Sequence, residues 1–142
     1  MFRKENIERE LKEIIPHEYR DDYKLLMGGS LVMNGVRETT NDLDMDVTPE
    51  LFNYLADLFC RDESKIEIKN GQRRFVLQDI FGEIEIYEGT FETDSGFEVR
   101  DIIDGIRCQT LGDIVKMKRH FGREKDFEDI VLIEKFCLNR KS

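Results

Sequence analysis

Leu25-Leu26-Met27-Gly28-Gly29-Ser30-Leu31-Val32-Met33 and, with eleven residues between Ser30 and Asp42, Asp42-Leu43-Asp44-Met45-Asp46-Val47 decide how this chain is read. Two glycines between apolar runs predict a tight turn from a strand, Lys24–Met27, into a short helix running from Ser30 to about Gly35. Such a turn presents backbone N–H groups at a helix N-terminus, where hydrogen bonds and the helix dipole both favour a phosphate. Val36 to Asn41 reads as a polar loop, and Asp42 to Val47 then alternates strictly. Asp42, Asp44 and Asp46 fall on one face of the predicted strand and Leu43, Met45 and Val47 on the other. Two residues of strand rise about 6.6–6.8 Å, so Asp42 and Asp44 can lean toward one ion or a pair of ions. Catalytic metal pairs sit ~3.5–4 Å apart, which two such side chains can bridge. The plain alternative is the solvated polar face of an edge strand; the glycine turn upstream favours the metal reading. An EF-hand is excluded, because Val47 stands where that loop needs glycine and Asn53 where it needs a bidentate glutamate. A phosphate cradle and a two-carboxylate clamp in one short unit imply chemistry on a nucleoside triphosphate.

A third carboxylate is expected from a neighbouring strand. Gly82-Glu83-Ile84-Glu85-Ile86-Tyr87 offers Glu83 and Glu85 on one face. Glu85, flanked by two isoleucines, is preferred, as a group that touches the metal and accepts a proton from an attacking hydroxyl. Glu83 stays open as the alternative.

The rest of the chain supports a mixed α/β fold, with a twisted mixed sheet, flanking helices and two helices at the C-terminus. Ile7, Leu11, Ile14 and Ile15 lie at helical spacing over about residues 2–15, and Pro16 stops that helix. Thr48-Pro49-Glu50 opens another, with Leu51, Leu55, Leu58 and Phe59 on its expected buried side. Strands are predicted at Lys65–Lys69, Arg73–Ile80 and Glu83–Tyr87, the first two joined by an Asn70-Gly71 hairpin turn. Residues 88–105 read as a polar loop with short extended pieces, and Ile106–Gln109 as a returning strand. Helices are expected at about 110–121 and 124–138, broken at Gly122. The 142 residues suit one domain, with a core over about 24–109 and a helical segment over about 110–138.

Composition narrows the classes. A formal net charge of −9 argues against a broad footprint on nucleic acid, though not against contact with a nucleic-acid end. No apolar run has membrane-spanning length, and the charged start, Met1-Phe2-Arg3-Lys4-Glu5-Asn6, lacks the apolar stretch of a signal peptide, so a cytoplasmic location is expected. Cys60, Cys108 and Cys137 are scattered without CxxC spacing and read as buried reduced thiols. His17 and His120 have no motif around them and read as surface residues. Gly28-Gly29-Ser30 lacks the Gly-Lys-Ser/Thr of a Walker A loop, which argues against that class of ATPase or kinase.

Near the C-terminus, Leu111, Ile114, Val115 and Phe121 form the expected apolar face of a helix that also carries Lys118. A lysine there must snorkel out or meet a negative partner, such as a triphosphate over the sheet. Arg123 and Lys125 fall in the turn between helices. Asp126 and Asp129 open the next helix, where capping and the dipole alone favour acids.

On these residues the chain resembles the minimal nucleotidyltransferases of the DNA polymerase β-type superfamily, whose signature is Gly-Gly/Ser-Ser, about ten residues, then Asp-x-Asp and a later third acid. Gly29, Ser30, Asp42 and Asp44 match it, with Glu85 in place of the commoner Asp. It is most similar to the small bacterial group that includes lincosamide-type antibiotic adenylyltransferases and abortive-infection toxin nucleotidyltransferases. Arg37-Glu38-Thr39-Thr40-Asn41-Asp42-Leu43-Asp44 and the late Lys118 with Gly122-Arg123-Glu124-Lys125-Asp126-Phe127-Glu128-Asp129 carry that likeness, which spans about residues 24–136. The resemblance implies Gly28, Gly29, Ser30, Arg37, Thr40 and Lys118 as nucleotide-binding residues. It implies Asp42, Asp44 and Glu85 as catalytic residues and ligands of Mg²⁺, as a pair of ions, with Mn²⁺ as a substitute. The expected reaction moves a nucleoside monophosphate from a nucleoside triphosphate to a hydroxyl acceptor, a small molecule such as an antibiotic, with release of pyrophosphate. Two alternatives stay open: a toxin-like transferase acting on tRNA or protein, and a non-catalytic nucleotide-binding or antitoxin-like partner protein. The expected assembly is a monomer or a homodimer, with no membrane partner.

Overall fold

A computed structural model describes residues 1–60, 62–89 and 101–141. The described residues hold five α-helices and a seven-stranded mixed sheet. In chain order these are α1 (Lys4–Ile14), β1 (Tyr23–Leu26), α2 (Met27–Met33), β2 (Asp42–Val47), α3 (Pro49–Phe59), β3 (Glu67–Lys69), β4 (Gln72–Asp79), β5 (Gly82–Glu88), β6 (Asp101–Ile103), β7 (Ile106–Cys108), α4 (Leu111–Phe121) and α5 (Glu124–Lys141). The strands lie side by side as β3-β4-β5-β2-β1-β7-β6. β2 runs antiparallel to β1 and parallel to β5, and β1 runs parallel to β7.

The alternation of β2 sorts its side chains by face. Leu43, Met45 and Val47 are fully buried, joining Leu25, Phe75, Ile84 and Ile86 in a core that α1 and α3 cover with Ile7, Leu11, Leu51, Phe52 and Leu55. Asp42, Asp44 and Asp46 take the other face. Leu31 of α2, Ile114 of α4 and Ile133 of α5 form a second cluster that ties the C-terminal helix pair to α2. Among the described residues no helix is long and apolar enough to cross a membrane.

Local chemistry explains most boundaries. The Thr48 hydroxyl accepts from the Leu51 N–H at 3.2 Å, with Pro49 in the first helical position. Thr110 caps α4 in the same way, through the Asp113 N–H. Gly122 ends α4 in the left-handed conformation. Asn70 and Gly71 both take positive φ, the turn that the β3–β4 hairpin needs.

The structure corrects several expectations. α2 starts at Met27, not Ser30, so Gly28 and Gly29 lie inside the first turn and Met27 itself adopts the positive φ. The glycines are there for close approach. A Cβ on Gly28 would come within 2.6 Å of the Thr40 Oγ1, and one on Gly29 within 2.8 Å of Leu25. In α3 the buried stripe is Leu51, Phe52, Leu55 and Ala56, so Leu58 and Phe59 face outward. Phe121 likewise leaves the apolar face of α4 and is exposed. Residues 63–65 form a 3₁₀ turn, so β3 begins only at Glu67. β4 ends at Asp79, leaving Ile80 exposed in the turn, and α5 runs on to Lys141. Cys60 and Cys108 are buried, but Cys137 is only half-buried. The Asp101–Cys108 hairpin extends into the expected loop, while residues 90–100 of that loop lie outside the described residues.

Gly82 opens β5 immediately beside the residue before Asp42. A Cβ there would stand 2.1 Å from the Asn41 carbonyl oxygen, a backbone atom that cannot step aside. Gly82→Ala should therefore cost about 3 kcal/mol, read as a drop in urea midpoint. Gly71→Ala has open space around it and carries only the positive-φ penalty, about 1 kcal/mol.

Candidate active site

The parallel pairing of β2 with β5 sets Asp42 opposite Glu83 and Asp44 opposite Glu85. On its other side β2 meets β1, with Leu26 opposite Asp44. Leu26 is the residue from which α2 springs, so the start of that helix stands beside Asp44. Glycine turn and carboxylates thus share one region of the sheet.

Electrostatics in this cluster are strained. Burial, then a hydrogen bond and charge repulsion from Glu85, then the charge of Asp42, push the Asp44 pKa up to about 7. Its carboxyl donates to Glu85, and that hydrogen bond, with the Arg74 guanidinium, holds Glu85 below the usual carboxylate range. Burial and the charges of Glu85 and Glu83 raise Asp42 as well. Asp46 is raised by burial and accepts from the Gln72 amide at 3.4 Å. Glu83 is exposed and accepts from Gln78 at 2.7 Å.

The cations facing Glu85 come from the β3–β4 hairpin. Arg74 Nε donates to Glu85 Oε1 at 3.1 Å, and Arg74 Nη2 donates to the same oxygen. The Tyr87 hydroxyl reaches it at 3.3 Å, and the Lys69 ammonium stands 4.0 Å away. Arg74 also pairs with Glu67 through Nη1 and lies over the Tyr87 ring. None of these cations was singled out from sequence. The signal was there: once Asn70-Gly71 makes a hairpin beside β5, Arg74 falls on the Glu85 face by strand parity.

Arg37, Thr40, Ser30 and Lys118 have definite partners. Lys118 is buried, with its ammonium 2.8 Å from Asp129 and 3.5 Å from Asp126. Arg37 pairs with the same Asp129. The negative partners that a lysine on this face needs are therefore supplied by α5. The two acids expected as simple helix-start residues prove to be the centre of a charge network. Asp126 also accepts from the Arg123 N–H at 3.2 Å and its Nε at 2.7 Å, which lowers its pKa. The Ser30 hydroxyl is fully buried and donates to the Gln109 carbonyl at 2.5 Å, while the Gln109 side chain accepts from the Met27 N–H. Thr40 donates to the Asp42 carbonyl at 3.1 Å, tying the loop to the start of β2.

Every donor in the β2–β5 cluster is a carboxylate oxygen, the ligand type that Mg²⁺ and Mn²⁺ select. Burial first, and repulsion among the acids second, raise Asp44 and Asp42, and a divalent cation would relieve that repulsion. Among the described residues no group of three or more His, Cys, Asp and Glu side chains is already arranged to hold a metal ion. The pair Asp44 and Glu85 is the part that stands together.

Compared with known proteins, the chain matches no protein-family model, no curated protein and no solved structure. The protein has a mixed α/β fold with an acidic, partly desolvated cluster between β2 and β5.

Asp44 gives a pH test. A carboxyl whose pKa is higher folded than unfolded favours folding while protonated, and that contribution is lost as pH rises from about 4 to 7. In the presence of chelator, wild type should therefore lose about 2 kcal/mol relative to Asp44→Asn between pH 5 and pH 8, measured by denaturant titration at each pH. The charge network gives a second test. Asp129→Ala leaves Lys118 and Arg37 without their shared anion and should cost about 3 kcal/mol. Glu134→Ala, which removes a surface pair with Arg119, should cost less than about 0.5 kcal/mol in the same denaturant titration.

Proposed function

We propose that the protein is a divalent-metal-dependent nucleotidyltransferase, moving a nucleoside monophosphate from a nucleoside triphosphate to a hydroxyl acceptor. The observation that supports this reading best is the register Asp44↔Glu85 across parallel strands, with the β1–α2 junction on the other side of Asp44. A carboxylate pair, a neighbouring third acid in Asp42 and a glycine-containing helix start are the parts such a transfer needs, within one region.

Asp42, Asp44 and Glu85 would hold Mg²⁺. When bound, the ion supplies the positive charge that phosphate transfer to a hydroxyl requires. The acceptor oxygen attacks the α-phosphorus in line, the bond to the β-phosphate oxygen breaks, and pyrophosphate leaves. The hydroxyl proton passes to Glu85, which stands in register with Asp44 across the parallel strands. The first turn of α2 would meet the triphosphate at Gly28, which is half-buried where Gly29 is buried; the Ser30 hydroxyl instead holds the β7–α4 junction through Gln109. Arg37 and Lys118 act as a pair fixed by Asp129, positioning the loop that enters β2. Positioning and charge neutralisation carry the rate, with little covalent work for the protein.

A small-molecule acceptor suits the acidic chain better than tRNA does, because a net charge of −9 opposes a polyanion. The test is incubation with Mg²⁺ and labelled ATP, GTP, CTP or UTP, with lincosamides, aminoglycosides, tRNA and the protein itself as acceptors. Wild type should yield a labelled product with pyrophosphate release, and Asp44→Ala should lower transfer at least about a thousandfold while still unfolding in one cooperative transition. Undiminished transfer by that variant contradicts the assignment. Nucleotide binding without pyrophosphate release across the panel identifies a partner protein instead.

A further inference from the structure

Glu85 is already held by a cation of the protein's own. Two N–H groups of the Arg74 fork donate to its Oε1, the Tyr87 hydroxyl donates to the same oxygen, and the Lys69 ammonium stands 4.0 Å off. Arg74 is itself largely buried, with 14% of its side chain exposed, and it stacks over Tyr87 with 5.9 Å from guanidinium to ring centroid. Its third contact matters most. Nη1 reaches across to Glu67 on the edge strand β3, which is well exposed at 58%. The guanidinium therefore bridges two carboxylates, one inside the candidate metal cluster and one at the rim of the sheet.

We propose that Arg74 is a tethered counter-cation for Glu85, one that competes with a divalent ion for this carboxylate and keeps Oε1 closed to it until the guanidinium is handed to Glu67. This rests on the metal reading of Asp42, Asp44 and Glu85. Mg²⁺ demands near-octahedral oxygen ligation at short distance, and Oε1, with three hydrogen-bond donors on it, is closed to the ion, so Glu85 can offer only Oε2 until Arg74 withdraws. A guanidinium and a divalent ion on one carboxylate also repel each other in a half-desolvated site. Arg74 and Lys69 thus lower the affinity of the resting site and keep the acid cluster from standing uncompensated. The handover needs no backbone movement, because Arg74 faces Glu67 in register across β3–β4 and Glu85 diagonally across β4–β5. Arg74 acts through Glu85, so it is a positioning residue.

The measurement is the affinity of the full chain for Mn²⁺ alone, by titration calorimetry without nucleotide, so that it does not depend on turnover. Arg74→Gln should bind Mn²⁺ about tenfold more tightly than wild type. Lys69→Gln, a substitution of a half-exposed residue that leaves the fold unstressed, should bind about twofold more tightly. Arg74→Lys, which keeps the charge, should stay within about twofold of wild type. Asp44→Asn should abolish the strongest binding event in every background. Equal or weaker Mn²⁺ binding by both Gln variants, with wild type binding normally, overturns the counter-cation role and leaves the metal site standing. Absence of Mn²⁺ binding in wild type and both variants overturns the metal reading and this inference together. If Arg74→Gln fails to fold, Lys69→Gln decides the outcome.

Discussion

Parallel pairing of β2 with β5 is the constraint on which the rest depends. It brings Asp44 face to face with Glu85 and Asp42 with Glu83, although like charges this close are unfavourable in a partly desolvated setting. The fold tolerates the arrangement because the opposite faces of both strands bury Leu43, Met45, Ile84 and Ile86 completely. A slip by one residue would turn those apolar side chains outward, so the core enforces a register that the carboxylates alone would avoid. Residual repulsion is taken up locally: Asp44 keeps a proton toward neutral pH, and Arg74 and Lys69 supply positive charge at Glu85.

A second group of charges does a different job. Lys118, Asp126 and Asp129 are buried between α4 and α5, and Arg37 joins them from the loop before β2. Each anion there has cationic partners, so the cluster is internally balanced where the β2–β5 cluster is not. It fastens the C-terminal helix pair to the loop that delivers Asp42. Thr40 adds to this fastening through the Asp42 carbonyl and its close contact with Gly28. Structural charge balance in one place and an excess of carboxylates in another is the contrast that separates scaffold from candidate site.

Much of this was legible in the sequence where a single local rule decides. Period-two alternation over Asp42–Val47, the Asn70-Gly71 turn, the Thr48-Pro49 helix start and the Gly122 stop all hold in the structure. What escaped depends on through-space partners. The start of α2 is set by the packing of Gly28 and Gly29 against Thr40 and Leu25, contacts that arise only after β1 and β2 pair. The apolar face around Lys118 shows that it needs an anion, but which anion depends on the angle at which α5 folds back, and the helix dipole alone accounts for Asp126 and Asp129 in the sequence. The outward turn of Leu58 and Phe59 follows from the helix face that Phe52 claims against Phe75, again a tertiary choice. Asp104-Gly105, with positive φ at both residues, is a hairpin signal of the same kind as Asn70-Gly71 and predicts the β6–β7 turn on local grounds, although it lies inside a polar stretch without clear alternation.

The central claim is that the acids of β2 and β5 gather around divalent cations. Crystals of the full chain soaked in Mn²⁺ and recorded at the manganese absorption edge test it most directly. The account predicts an anomalous peak within ligand distance of Asp44 and Glu85, on the sheet face that Asp42 shares. An anomalous map with its peaks elsewhere, and Glu85 still held by Arg74 at saturating Mn²⁺, would contradict it.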